Sequence, residues 1–330
     1  MKRVRLVDVA KEVGVSAKTV SNVVHGRGNV SEPVRQHVLA AIRDLGYRPN
    51  TSARLLRMGR VGFVGLALPT LDQPYFAQFA ASFFDAAQAA NLRILVVQTH
   101  GSPTLERSLI DGEGLPAVDA MVISPLSLTA KDLQGRKTDI PLVFVGEHAE
   151  TLPPQLIVHV GPNNVEAAET ATDLLLKNQR QHIAVIGLQS LGSTATADLR
   201  FQGFRQAMKR ANVPIQPGLL CSVSEFTRSE GARAMRQLLR KSMQFDAVFC
   251  FNDSMAIGAI YELTQAGCKV PKDIEVVGFD GLDEGLYHYP RFSTVALHPE
   301  ESAHKIIELL SQNTPLVPGR YPIRWEFIRA

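Results

Sequence analysis

The sequence predicts an all-α helix-turn-helix head followed by an α/β core of two parallel-sheet subdomains. Helical periodicity fills the first 47 residues, whereas short apolar runs alternate with amphipathic stretches after residue 60. The charge changes at the same place. Residues 1–60 contain 12 Lys and Arg against 4 Asp and Glu, a net charge of +8, and the other 270 residues contain 23 against 28, a net charge of −5. A basic head on an acidic body is expected where only the head meets a polyanion, although a solvated basic surface gives the same count.

Composition excludes several classes of protein. A chain of 330 residues suggests two or three domains, and with 45% apolar and 20% charged residues it is expected to fold. Its longest apolar runs, such as Val61–Leu68, fall far short of the roughly 20 residues that span a bilayer. No apolar segment follows the basic start, so no secretory signal is predicted. Because Cys221, Cys250 and Cys268 form no C-x-x-C pair, we expect a reduced cytoplasmic protein with buried thiols and no membrane partner.

Three helices are predicted in the head from apolar residues at helical spacing. These are Leu6, Val9, Ala10 and Val13 in the first helix, Val20, Val23 and Val24 in the second, and Val34, Val38, Ala41, Ile42 and Leu45 in the third. Gly14 suits the left-handed position after the first helix, and Ser16 can cap the second. The third helix is expected from about Ser31 to Leu45. This is the helix-turn-helix arrangement, although any small three-helix bundle shows similar periodicity.

The second helix exposes short or basic side chains that can enter a major groove, namely Ala17, Lys18, Thr19, Ser21 and Asn22. Behind the head, Asn50 can cap a helix of only about two turns, which is marginal alone in water and is expected to fold only on a partner. Arg54 and Arg57 can meet phosphates, and Leu56 offers an apolar wedge for a minor-groove base step. A plain linker is the alternative for this segment.

Six motifs of the head resemble those of the lactose/galactose repressor (LacI/GalR) family. They are Val7-Asp8-Val9-Ala10, Gly14-Val15-Ser16, Thr19-Val20-Ser21, Val30-Ser31, Leu45-Gly46-Tyr47-Arg48-Pro49-Asn50 and Ala53-Arg54, and the similarity continues through the body. The resemblance implies a DNA-binding domain over 1–47, a hinge helix and linker over 48–60, and an effector-binding and dimerisation core over 61–330.

The resemblance also implies roles for individual residues of the head. Ala17, Lys18 and Asn22 would read bases, and Ser16, Thr19 and Ser21 would contact phosphates. In the linker, Asn50, Ala53 and Arg54 would belong to the DNA-binding set, and Leu56 would open the centre of a palindromic operator.

Two residues depart from the family pattern. Arg5 stands where the family usually has a threonine that caps the first helix, so that cap is expected to be lost or replaced. Asn22 stands where an arginine often reads guanine. Its shorter amide prefers adenine edges or makes fewer contacts, which leaves the outer bases of the operator open.

The body alternates strand-like and helix-like segments. Strands are predicted at Val61–Leu68, Leu92–Gln98, Ala120–Ser124, Leu142–Gly146, Ile183–Leu188, Ala247–Phe251 and Ile274–Phe279, and helices at 75–90, 163–178, 198–211, 228–242 and 253–266. This rhythm predicts parallel sheets covered on both faces. The resemblance implies a periplasmic-binding-protein-like core whose two subdomains enclose a ligand cleft and are joined by three crossovers, with the last strands, about 292–297 and 321–328, near those crossovers.

Enzyme signatures are absent from the sequence. There is no phosphate loop, no dinucleotide fingerprint after the first strand, no H-E-x-x-H and no G-x-S-x-G. The nine histidines are scattered rather than clustered as metal ligands. We therefore expect neither catalysis nor a cofactor.

Ligands of parallel α/β sheets bind beyond the carboxyl ends of the strands, which gives a set of candidate cleft residues. At those ends lie Asp72, Tyr75 and Phe76 after the first strand, Glu147 and His148 after Val145-Gly146, Asn252 and Asp253 after Phe251, and Asp280 after Phe279. Arg200 opens a helix and Phe226 lies in a loop. Carboxylates, an amide and an arginine suit vicinal hydroxyls, and aromatic faces suit a pyranose or a flat base. The alternatives are structural: Asn252 capping its helix, Phe76 in the core, and Asp253 paired with a cation.

By resemblance, Arg200 looks like the arginine that grips the effector and Asp280 like its paired carboxylate. Phe226 looks like the cleft aromatic, Tyr75 and Phe76 like the stacking pair, and Asn252-Asp253 like the family's Asn-Asp. Departures cluster at the same wall, where Gly146-Glu147 replaces a usual Asp-Arg, Gln73 a usual Asn, and Gly281 a common second Asp. We therefore expect a sugar or sugar derivative of unusual shape, with purines or nucleosides as the next class.

These expectations describe a homodimeric transcriptional regulator on double-stranded operator DNA. A small effector would close the cleft and release a pseudo-palindromic operator. A ligand that promotes DNA binding as a corepressor is the alternative, and a sugar-binding protein with a vestigial head is another. No heptad tail follows Trp325, which favours a dimer over a tetramer.

Overall fold

The computed structural model describes residues 4–24, 28–47, 61–189, 195–241, 243–312 and 314–330. The chain divides into two compact units, Met1–Val61 and Gly62–Ala330. None of the helices in the described ranges has the length and apolar character needed to cross a bilayer.

The first unit contains the three predicted helices of the head. They are α1 (Leu6–Val13), α2 (Ala17–Val24) and α3 (Glu32–Asp44). Their shared core is built on Val9, Val20 and Val38, which are fully buried. Gly14 adopts φ +71° after α1, and the amide of Val15 donates to the carbonyl of Ala10 over 3.0 Å, which turns the chain into α2. The predicted helix-turn-helix head is confirmed.

The start of α1 shows how the unusual Arg5 is accommodated. No side-chain oxygen is available at this position, and Asp8 takes over instead: its Oδ2 accepts the backbone amide of Arg5 over 2.8 Å. At the start of α2 the predicted cap is present, because Ser16 Oγ accepts the amide of Thr19 over 3.0 Å. The side-chain cap of α1 is thus lost, and Asp8 provides only the reciprocal bond to the backbone amide of Arg5.

The second unit contains two six-stranded sheets. The strands, in chain order, are β1 (Phe63–Leu68), β2 (Arg93–Gln98), β3 (Ala120–Ile123), β4 (Leu142–Phe144), β5 (Val158–Gly161), β6 (Ile183–Leu188), β7 (Leu220–Ser222), β8 (Ala247–Cys250), β9 (Glu275–Asp280), β10 (Ser293–Leu297), β11 (Gly319–Pro322) and β12 (Trp325–Ile328). The first sheet has the order β11-β5-β4-β3-β1-β2 and is parallel throughout. The second has the order β12-β10-β9-β8-β6-β7 and is parallel except for the edge strand β12.

Helices cover both sheets. They are α4 (Pro74–Ala89), α5 (Pro103–Ile110), α6 (Ala130–Gln134), α7 (Asn164–Lys177), α8 (Ala195–Arg210), α9 (Arg228–Leu239), α10 (Asp253–Gln265), α11 (Asp283–Leu286) and α12 (Pro299–Ser311). The apolar faces of α4 and α12 pack on the first sheet, and those of α7 to α10 pack on the second. Each sheet with its helices is a subdomain, which confirms the predicted α/β core.

The chain passes between the subdomains three times: from β5 to α7, from β10 to α12 and from β11 to β12. The segment 321–328, expected as one strand, therefore contains the end of β11 in the first sheet and the whole of β12 in the second. The strands β5 and β7 were not predicted. In β5 the buried polar side chain of His159 interrupts the apolar run, so the sequence gives no continuous strand signal there.

Candidate functional site

A cluster of charged side chains lies where the carboxyl ends of the two sheets face each other. Glu147 begins the turn after β4 in the first subdomain. Asp280 ends β9 in the second subdomain, and Arg200 comes from the second turn of α8. Parallel strands bring their carboxyl ends to one edge, so residues far apart in sequence meet at this point.

Arg200 is the centre of the cluster, with only 2% of its side chain exposed. Its Nη2 donates to Glu147 Oε1 over 2.7 Å, and its Nη1 donates to Asp280 Oδ1 over 3.4 Å and to the carbonyl of Phe251. The guanidinium also lies over the ring of Phe279, with 3.7 Å from Cζ to the ring centroid. Four hydrogen bonds, including one from Nε, and one aromatic ring thus hold the guanidinium, as a buried cation requires.

The ion pair between Arg200 and Glu147 joins the two subdomains across the cleft. A second bridge runs beside it. Arg200 Nε donates to Asn164 Oδ1 over 3.3 Å, and Asn164 Nδ2 donates to Glu150 Oε1 over 2.6 Å. The Glu147–Thr151 turn is therefore bound to α7 and α8 through one arginine and one amide.

Burial and mutual repulsion shift the protonation of this cluster. Burial, reinforced by Asp253 and Glu147, raises the pKa of Asp280 well above its usual range although Arg200 opposes the shift. Burial and the nearby Glu147 and Asp280 likewise raise the pKa of the Tyr75 hydroxyl. Burial raises the pKa of Glu150 to about 7, against the hydrogen bond from Asn164. The cluster is thus crowded with acidic groups, of which only Glu147 and Asp280 pair directly with Arg200.

A neighbouring histidine is held neutral. Burial lowers the pKa of His159 to about 4, and its Nε2 lies 3.1 Å from the carbonyl oxygen of Gly146. A neutral imidazole at neutral pH donates one proton, so we assign this contact as an N–H bond to the Gly146 carbonyl. His159 therefore fixes the chain immediately before Glu147 without adding a positive charge.

The raised pKa of Glu150 predicts a pH-dependent stability. The folded protein keeps a proton that the unfolded chain loses above the usual glutamate value, so stability from this group is present at low pH and lost as the pH rises to about 7 and above. Between about pH 5 and pH 8 the free energy of unfolding should fall by roughly 2 to 3 kcal/mol through Glu150 alone. In urea titrations, the free energy of unfolding of Glu150→Gln should fall less steeply with pH than that of the unmodified chain. Glu166→Gln, which changes an exposed glutamate, is the control and should keep the original slope. A Glu150→Gln slope equal to that of the unmodified chain would contradict this assignment.

Two of the three aromatic candidates, Tyr75 and Phe76, lie at the boundary of the two subdomains. Tyr75 and Phe76 begin α4, with ring centroids 5.6 Å apart in an edge-to-face arrangement. Tyr75 packs against the core of the second subdomain, and Phe76 against that of the first. Phe226 is half-buried against the second core. Phe76 is therefore partly a core residue, which was the structural alternative to a role in ligand binding.

Two candidates, Asn252 and Asp253, are occupied by the protein itself. Asn252 Oδ1 accepts the amide of Met255 over 2.8 Å, and its Nδ2 donates to the carbonyl of Phe226. Asp253 is fully buried and accepts the hydroxyl of Thr294 over 2.6 Å. These contacts cap α10 and fasten it to the strands; they are hydrogen bonds rather than the cation pair considered from the sequence.

Two further candidates, Asp72 and His148, form hydrogen bonds to residues outside the Arg200 cluster. Asp72 is exposed, and its backbone amide donates to Thr70 Oγ1 over 3.1 Å. His148 Nε2 lies 2.7 Å from the carbonyl oxygen of Leu128.

Asn164, Glu150 and His159 belong to the cluster but were missed by sequence reasoning. Asn164 follows Asn163, the N-cap of α7, and from the sequence it looks like another capping residue. His159 was missed because it lies in β5, a strand that was not predicted.

In the head, Lys18 and Ser16 are exposed, and Ala17, Thr19, Ser21 and Asn22 are half-buried. The Ser16 hydroxyl lies 2.9 Å from that of Thr19, so these predicted phosphate contacts are adjacent. Asn50, Ala53, Arg54 and Leu56, with the whole linker 48–60, lie outside the described residues. Within the described residues, no group of three or more His, Cys, Asp or Glu side chains could hold a metal ion.

Comparison with known proteins agrees with this architecture. Residues 5–50 match the family described as bacterial regulatory proteins, lacI family, and residues 172–319 match the periplasmic binding protein-like domain. The HTH-type transcriptional repressor PurR of Histophilus somni (strain 129Pt) is 30% identical over 305 residues, which is 92% of this chain and 90% of that protein.

Two solved structures are also similar. The lac repressor bound to ONPG in the repressed state has a TM-score of 0.86 at 24% identity, and 99% of each chain is covered. The transcriptional regulator CelR in complex with cellobiose has a TM-score of 0.68 at 26% identity, covering 99% of this chain and 98% of that one.

A helix-turn-helix head followed by a two-subdomain α/β core with a polar cleft defines a DNA-binding transcriptional regulator with a ligand-binding domain. The chain belongs to the lacI family of bacterial regulatory proteins.

Proposed function

We propose that this protein is a cytoplasmic, homodimeric, non-enzymatic repressor that a small sugar or sugar derivative releases from a palindromic operator. The ion pair of Arg200 with Glu147 supports this most strongly, because it joins the two subdomains at the point where a ligand would enter. A ligand that replaces this bond changes how the subdomains are held. The conformational response that a regulator needs is therefore built into the site.

The proposed effector site combines polar and aromatic side chains. Its proposed ligand contacts are Asp72, Tyr75, Phe76, Glu147, Arg200, Phe226 and Asp280, whereas Asn252 and Asp253, whose side chains bond to the protein itself, hold the start of α10 beside them. Carboxylates and a guanidinium pair with vicinal hydroxyls, and the edge-to-face rings of Tyr75 and Phe76 suit the apolar face of a pyranose. Cellobiose in the CelR complex supports a sugar for this chain. A purine or nucleoside is the second candidate class.

The proposed DNA-binding surface is the exposed side of α2 together with the linker. Ala17, Lys18 and Asn22 read bases, Ser16, Thr19 and Ser21 contact phosphates, and Asn50, Ala53, Arg54 and Leu56 act from the linker 48–60, between the head 1–47 and the core 61–330. Lys18 is exposed, and the hydroxyls of Ser16 and Thr19 lie 2.9 Å apart at the start of the same helix, which supports this orientation. Two such heads in a dimer address two inverted half-sites of double-stranded DNA.

DNA binding is tested by selecting duplexes from a random library with the full-length protein. We expect an inverted repeat to be enriched and Lys18→Ala to weaken its binding by about 10- to 100-fold, because one base or phosphate contact is lost. Lys11→Ala removes an exposed lysine from α1 and serves as the control, with affinity close to that of the unmodified chain. Equal DNA affinity of all three proteins would favour the vestigial-head alternative.

A further inference from the structure

We propose that the cleft selects an uncharged or cationic effector and excludes carboxylate and phosphate ligands, because Glu147 already occupies the anion position on Arg200. The inference rests on the proposed function, in that it takes the Arg200 cluster as the effector site, and it adds the charge class of the ligand. A carboxylate of the chain itself thus stands where an acidic ligand would bind.

Arg200 has little capacity left for an incoming anion. A guanidinium offers five N–H donors. Glu147, Asp280, Asn164 and the carbonyl of Phe251 accept four hydrogen bonds from it. The ring of Phe279 covers one of its faces. An anionic ligand must therefore displace a carboxylate that the chain supplies at no cost in translational entropy.

Carboxylates of the chain itself already compensate the charge of Arg200. Glu147 forms the shorter of the two ion pairs, 2.7 Å against 3.4 Å for Asp280. Asp280 is a second acidic partner of the same guanidinium, and burial together with Asp253 and Glu147 raises its pKa because acidic groups are crowded here. Glu150 adds further negative charge above about pH 7. An anion that enters this site encounters a neutral or negative environment, which is costly where water is excluded.

Two other bases lie near the cluster, and neither places a buried positive charge there. Burial lowers the pKa of His159 to about 4, so its imidazole is neutral. Arg320 is exposed, and its Nη2 donates to the backbone carbonyl of Glu150 over 2.6 Å. Neutral hydroxyls, by contrast, can donate to Glu147 and Asp280 while Arg200 keeps its charge compensated, and an ammonium group gains the attraction of the carboxylates.

The experiment tests whether removal of Glu147 creates an anion site. Full-length protein and Glu147→Ala are compared by thermal unfolding in sodium acetate, gluconate and inorganic phosphate, with sodium chloride at matched ionic strength. The unmodified protein should show no saturable stabilisation. Glu147→Ala should be stabilised saturably by acetate and gluconate, with an affinity at least about tenfold above the upper limit for the unmodified protein, because the anion takes the position that Glu147 left.

Two further variants make the result specific. Glu262→Ala removes a carboxylate that pairs with Arg236 between α9 and α10, away from the cleft, and should gain no anion binding. Glu147→Gln keeps the shape of the side chain without its charge, so it should gain gluconate affinity even where the alanine variant folds poorly.

Saturable stabilisation of the unmodified chain by gluconate or phosphate would overturn the proposal, and so would failure of both Glu147 variants to gain anion binding. Operator binding is measured separately. Loss of the proposed regulatory function would therefore appear in the DNA assay, and failure of the charge selection would appear here.

Discussion

Replacing Arg200 by methionine is expected to lower the free energy of unfolding by about 3 to 5 kcal/mol and to abolish effector binding. The substitution leaves Glu147 and Asp280 at a buried site without their cation, and removal of one partner of a buried ion pair has this cost. The bonds to Asn164 and to the carbonyl of Phe251 are lost as well. Since a domain of this kind is stable by only about 5 to 15 kcal/mol, the change should be large in a urea titration.

Arg236→Met is the matched control for this prediction. Arg236 also pairs with a glutamate, Glu262, but half of its side chain is exposed and water screens the pair, so the expected loss of stability is far smaller than for Arg200→Met. Adding Glu147→Gln to Arg200→Met should recover part of the loss, because it removes the uncompensated charge. Equal costs for Arg200→Met and Arg236→Met would show that the buried cluster contributes no more than a surface pair.

Replacing Gly203 by alanine is expected to have the second large effect, lowering the free energy of unfolding by about 3 kcal/mol. Gly203 lies in α8 three residues after Arg200, where α8 crosses α7. An added Cβ would overlap the carbonyl oxygen of Val165 and lie 2.8 Å from the amide nitrogen of Glu169. Both are backbone atoms that cannot rotate away, so the helices must separate. This overpacking exceeds the gain of up to about 1 kcal/mol that alanine brings to a helix.

The same substitution should also weaken the site. Separating α8 from α7 pulls Arg200 Nε away from Asn164 Oδ1, a bond of 3.3 Å. Gly135→Ala is the control: Gly135 is exposed, has a negative φ, and its Cβ would come no closer than 3.3 Å to any atom. Thermal unfolding of both variants, with ligand titration of each, checks the prediction. A Gly203→Ala protein as stable as Gly135→Ala would show that the two helices are not in close contact.

The head and the order of elements were predictable because their signals are local. Helical spacing of apolar residues, Gly14 and Ser16 specify α1 and α2 within a few residues of sequence. The same holds for the parallel strands with continuous apolar runs. Strands such as β5 were missed because His159 interrupts the pattern, and its burial depends on the carbonyl of Gly146, 13 residues away.

Arg200, Glu147 and Asp280 were predictable as members of a site, but their bonding was not. Position at strand ends and family resemblance identified the three residues. Their pairing depends on how β4, α8 and β9 are placed, across separations of 53 and 80 residues. The role of Asn164 is invisible in the sequence for the same reason, because an asparagine at the start of a helix has the same pattern whether or not it contacts an arginine.

The central claim, that the cleft controls the DNA-binding head, is tested most directly by measuring ligand affinity with and without operator. A neutral sugar that stabilises the full-length protein would be titrated into free protein and into its complex with the selected duplex. Coupling is reciprocal, so an inducer should bind the complex more weakly, by about 5- to 150-fold, and weaken DNA binding by the same factor. Tighter binding to the complex would identify a corepressor. Equal ligand affinity for free and DNA-bound protein would contradict the account.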